Sequence, residues 1–166
     1  MVRSCIRPEL SAALCQNYGY KNVLCEVLWK RADCLIENGS LAAAETAAQA
    51  AVNLATELNS HDLNSEAQRA LSRVYRKMGK HGAALEAAAS AWQARSGDPD
   101  PAVQARFAAE YALALGSAGR PDEARRLLAG HASLIRLIES GVTQQEVSET
   151  LAAQPMPGLA DTAAAP

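Results

Sequence analysis

Three glycines, Gly39, Gly79 and Gly119, stand at intervals of 40 residues, and other positions move with them. Seven residues before each glycine is a small side chain (Ala32, Ser72, Ala112), and four before is a large one (Leu35, Tyr75, Leu115). Five residues after each is an alanine (Ala44, Ala84, Ala124). Twelve after come Ala51 and Ala91, then His131, which breaks the run. Self-similarity at a fixed period of this length is the mark of a stacked repeat. The content of each unit is a helix, a tight glycine turn and a second helix, with small residues letting the two backbones approach closely.

Composition narrows this to helices alone. Hydrophobic residues make up 49% of the 166-residue chain but aromatics only 4%, so the core is built mostly from alanine and leucine. Those residues suit packed helices and suit sheets poorly. Asn22, Asp62 or Ser65, and Asp100 before Pro101 are the expected starts of the three first helices, with Ser65 and Gln68 as a candidate capping box. Pro121 opens the last second helix, and 96–101 (SGDPDP) is a clear break. Beyond it the apolar spacing predicts one long helix running through Gly130 to about residue 140, with a break at Gly130 as the alternative.

The expected organisation is an N-terminal capping helix or the remnant of a preceding repeat at 1–21. Three repeats follow at 22–140 (about 22–61, 62–99 and 100–140), then a short helix and a disordered tail at 141–166. The fold class is all-α: helix-turn-helix repeats, about three of them, plus terminal caps.

Little in the chain points to chemistry. Lysine and arginine number 16 against 18 aspartates and glutamates, a net charge of −2 that offers no general attraction to nucleic acid or anionic membrane. No apolar run approaches the ~20 residues of a membrane span, and the start does not read as a signal peptide. Cys5, Cys15, Cys25 and Cys34 form no C-x-x-C pair and have no metal-ligand spacing, so they read as free thiols. His61 and His81 fall at or near loops, and His131 lies on an apolar helix face as a core histidine. Phosphate-binding glycine loops are absent. The expectation is a non-enzyme without cofactor or metal, in the cytoplasm.

The segment 67–92, AQRALSRVYRKMGKHGAALEAAASAW, resembles the tetratricopeptide repeat family. It carries the large–small pair Leu71-Ser72, the Tyr75 position, the turn glycine and two alanines of the second helix. The resemblance covers roughly 22–140, and a period of 40 rather than the usual 34 marks a long-helix variant. The family's tryptophan position holds Leu28, Gln68 and Ala108, and Arg31 replaces an expected leucine, so the first repeat departs most.

The resemblance implies a right-handed superhelical array whose first helices line a concave, partner-binding groove. Its groove positions fall on Glu26, Trp29, Asp33, Ile36 and Glu37, on Glu66, Arg69, Arg73, Arg76 and Lys77, and on Arg106, Ala109, Leu113, Gly116 and Ser117. Arg69, Arg73, Arg76 and Lys80 share a helix face, and two readings stand. Either the stripe receives an acidic segment of a partner, or it is a solvated face paired with Asp33 and Glu37. Trp29 is either a hydrophobic anchor for the partner or a core residue. Asp33 and Glu37 argue against a terminal-carboxylate clamp of the kind some family members carry.

The leading expectation is a non-catalytic protein–protein interaction module, an adaptor or regulatory (sensory) domain of bacterial type that binds a partner peptide or helix. The alternatives are a chaperone for a secreted client and nucleic-acid binding through the basic helix 66–80. A homodimer through a terminal repeat is a further expectation.

Overall fold

The computed structural model describes residues 20–131, together with Gln145 and Val147. Six helices run in order: α1 Lys21–Glu37, α2 Leu41–Glu57, α3 His61–Lys77, α4 His81–Arg95, α5 Pro101–Ser117 and α6 Pro121–Gly130. The expected helix near Pro8–Gln16 and the expected tail after Pro155 lie outside the described residues.

Each within-repeat turn is built the same way. Gly39, Gly79 and Gly119 hold φ of +74°, +74° and +78°, the left-handed region that side-chain-bearing residues avoid. That conformation turns the following amide back onto the helix end: Ser40, Lys80 and Arg120 each donate an N–H to the carbonyl of Leu35, Tyr75 and Leu115, at 2.9 Å in all three. The turn between α2 and α3 uses Asn59 at φ +50° instead of glycine.

The caps differ from the expectation in two places. Ser60, two residues ahead of the expected aspartate, accepts the Leu63 N–H at the start of α3. Ser65 lies one turn inside and donates to the Asp62 carbonyl at 2.9 Å, so it caps nothing. At α1 Tyr20 precedes the helix with no side-chain cap, and Asn22 is already helical. Asp100 does cap α5, accepting the Ala102 N–H at 2.8 Å, with proline in the first turn.

The alanine register explains the packing. Ala32, Ser72 and Ala112 on the first helices, and Ala44, Ala84 and Ala124 on the second, are all fully buried where the two helices of a repeat cross. Two buried clusters result. One is centred on α1–α3, with Cys25, Ala48, Ala51, Leu71 and Val74. The other is centred on α5 and α6, with Leu113, Leu115, Leu128 and the helical Val147.

First helices touch across repeats, α1 against α3 and α3 against α5, whereas α2 and α4 make no comparable contact. The first helices therefore form the closer-spaced inner layer and the second helices splay outside it, so the array curves with α1, α3 and α5 inside. The helix opened by Pro121 stops at Gly130, with His131 outside it at φ −120°. One continuous helix through Gly130 is thus corrected to a break there. Glycine has the lowest helix propensity after proline, and the His131 N–H folds back to the Leu128 carbonyl.

Candidate functional site: the inner face of the first helices

The inner layer carries nearly all the charge that the sequence analysis singled out, and it is paired within the chain. Arg73 donates to Asp33 at 3.0 Å, and Arg69 reaches the other Asp33 oxygen at 3.8 Å. Arg69 also donates to Glu66 at 3.1 Å, and Glu66 in turn accepts from Arg106. Arg76 holds Glu110 with two nitrogens, at 3.3 and 3.4 Å, and the Ser72 hydroxyl donates to the same carboxylate at 3.1 Å. Two of these pairs, Asp33–Arg73 and Glu66–Arg106, join residues 40 apart. In a stacked array the same position of successive repeats lies face to face, so opposite charges at one register position become a rung between repeats.

These are not surface pairs. Arg69, Arg73 and Glu110 are 9%, 8% and 4% exposed. Burial alone would lower the pKa of Arg69, but Asp33, Glu66 and Glu110 more than offset it and hold the guanidinium above its ordinary value. The four arginines act as clamps across the α1–α3 and α3–α5 seams, using the forked geometry that lysine lacks. The expected pairing with Asp33 is present, but the stripe is neither solvated nor a set of cations offered outward. Lys80, placed on the same face from sequence, reaches to the outer layer and donates to Glu45 at 2.7 Å.

The remaining groove positions divide by repeat. On α1, Glu26 is exposed and pairs with Lys30 at 3.5 Å, and Glu37 is exposed at the helix end and joins none of the rungs. Trp29 and Ile36 are half-buried, packed partly on the core and partly open. The Trp29 ring lies 5.2 Å from the Lys30 nitrogen and 5.9 Å from the Arg69 guanidinium carbon, while its indole N–H is buried with no acceptor among the described residues. One side of Trp29 packs inward on the core. On α3, Lys77 is exposed. On α5, Arg106 keeps 42% of its side chain exposed, but Ala109 and Leu113 are buried in the second cluster with Val147. Leu113 is thus a core residue. Gly116 and Ser117 are half-buried, the Ser117 hydroxyl donating to the Ala114 carbonyl at 2.9 Å.

Sequence reasoning passed over Glu110, the most buried charged residue among the described residues. Its signal was present: it is the one charged residue in the apolar run FAAEYALAL, where only a paired carboxylate is tolerated.

The thiol and histidine chemistry is structural where it is described. Cys25 is fully buried and its Sγ donates to the Ala51 carbonyl at 3.3 Å. Burial, with Glu26 adding to it, pushes that thiol up to about 11, so it stays protonated and unreactive at neutral pH. His131 meets Trp92 edge-on at 5.4 Å, with Nδ1 3.0 Å from the Leu127 carbonyl. Among the described residues no group of acidic, histidine or cysteine side chains could hold a metal ion, and no helix is long and apolar enough to cross a membrane.

With this geometry in hand, comparison with known proteins adds a family likeness. Residues 23–97, the first two hairpins, match the tetratricopeptide repeat family model. The chain is also similar in fold to a TPR-like protein from Chlorobium tepidum TLS, with a TM-score of 0.62 and 13% identity over 80% of this chain and 95% of that one. No curated protein matches the chain in sequence. The tetratricopeptide repeat is in general a protein-binding, non-catalytic scaffold.

Proposed function

We propose that this array is a non-catalytic adaptor or regulatory module that holds a peptide or helix of a protein partner against the inner face of α1, α3 and α5. The observation that carries the reading is the seam of arginine–carboxylate rungs, which locks three first helices into one continuous face. Buried ion pairs are weak contributors to net stability compared with apolar packing. Their use here is to hold one register between repeats, which a pre-organised binding surface needs. The same pairing withdraws Arg69, Arg73 and Arg76 from any nucleic acid, so the basic helix does not favour that alternative.

The test is to capture partners on the full chain from a lysate of the source cells, cross-link them in place and map the links. The expected result is partner cross-links to exposed residues on the inner face, Lys30, Lys77 and Glu37 among them. Links confined to α2 and α4 would overturn the reading.

A further inference from the structure

The rungs also decide what kind of segment the face accepts. We infer that the partner is held through apolar contact with Trp29 and Ile36 on α1, by a segment that brings no charge onto the floor of the groove. This rests on the reading of the inner face as the binding face. Asp33 already serves two guanidiniums, Glu66 two, and Glu110 is gripped by Arg76 and Ser72. An incoming carboxylate would gain an arginine only by expelling one of these, leaving a largely buried carboxylate without its partner, which is strongly unfavourable. An incoming cation meets the mirror-image obstacle at Asp33 and Glu66. The floor is self-neutralised, and charge complementarity favours an uncharged contact.

What remains for a partner is apolar surface, and it is localised. At the register of Trp29 the later repeats carry Arg69 and Ala109, both buried, and at the register of Ile36 they carry Arg76 and Gly116. Only α1 places two large apolar side chains at groove positions and leaves part of each uncovered. Residues 29 and 36 are two turns apart on one helix face, a spacing that meets apolar side chains repeating every three or four residues on a partner helix.

The test pans a phage-displayed random 16-residue peptide library on the full chain and measures the selected sequences, as synthetic peptides, by fluorescence anisotropy. The expected consensus has apolar residues spaced by three and four with no enrichment of Asp, Glu, Lys or Arg between them. Affinity should change by less than about threefold between 50 and 500 mM NaCl, because screening has little to act on. It should fall about tenfold or more in Trp29→Ala and in Ile36→Ser, two independent variants whose folding is checked by circular dichroism. An acidic or basic consensus that weakens steeply with salt, or binding unchanged in a folded Trp29 or Ile36 variant, overturns the inference while leaving the module reading intact. Failure to select any binder overturns the peptide-binding reading and the inference together.

Discussion

The seam inside each repeat and the seam between repeats are built on opposite principles. Inside, Ala32, Ser72 and Ala112 on the first helices and Ala44, Ala84 and Ala124 on the second are fully buried at matching register positions, small enough for close backbone approach. Between repeats on the inner layer, α1–α3 and α3–α5 are bridged by arginines and carboxylates that follow no repeated pattern: positions 33, 73 and 113 hold Asp, Arg and Leu, and positions 26, 66 and 106 hold Glu, Glu and Arg. The crossings that make each hairpin are copied from unit to unit, and the contacts that order the hairpins are particular to each junction. A repeat is thereby free to fold generically while its neighbours remain specified.

The contrast breaks most sharply at Glu110. Replacing it with alanine leaves Arg76 and Ser72 largely buried without their acceptor, and chemical denaturation should show a loss of about 3–5 kcal/mol. The double variant Arg76→Met/Glu110→Leu should recover most of that loss, because it removes both charges and fills the space. If the double variant is as unstable as the single one, the junction depends on the ion pair itself and not on the avoidance of an unpaired charge.

The alanine crossing should respond to size instead of charge. Ala84→Leu inserts a branched side chain where α3 and α4 meet, and the expected cost is about 1–3 kcal/mol by the same measurement, with no dependence on salt. A neutral result would show that the crossing has slack and that the 40-residue alanine register is not a packing requirement.

The smallest effect belongs at the open rim of the inner layer. The Glu26–Lys30 pair is well exposed on both sides, and Lys30→Ala should change stability by no more than about 0.5 kcal/mol. A larger loss would mean that exposed pairs on α1 carry weight comparable to the buried rungs and would erase the distinction between rim and floor.

Much of this was legible from residue spacing. The turn glycines and the buried alanines follow from a 40-residue register that needs no coordinates, and the family resemblance rests on the residues of segment 67–92. The first-turn proline after Asp100 was equally plain. The groove was legible as a set of positions and not as a set of states. Arg69, Arg73 and Arg76 look like a basic stripe because a helical wheel shows one helix at a time, and their acceptors stand on two other helices. Pairing with Asp33 was among the expectations, and comparing each charge with the residue 40 positions away would have added Glu66–Arg106. It would not have found Arg76–Glu110, which joins different register positions, nor the burial of Leu113 against Val147.

Local chemistry alone determined that this chain makes helical hairpins: a left-handed glycine ends each first helix, and alanine at fixed offsets lets the second lie against it, all within a few turns of chain. Whether a charged side chain faces water or a partner, or is spent within the molecule, was decided only by tertiary structure. That choice depends on which side chains the curvature of the stack brings within hydrogen-bonding distance from helices some 40 residues away. Asp33, Glu66 and Glu110 turned a stripe that reads as a binding site into an internal frame of the inner layer, beside which Trp29 and Ile36 stay half-buried.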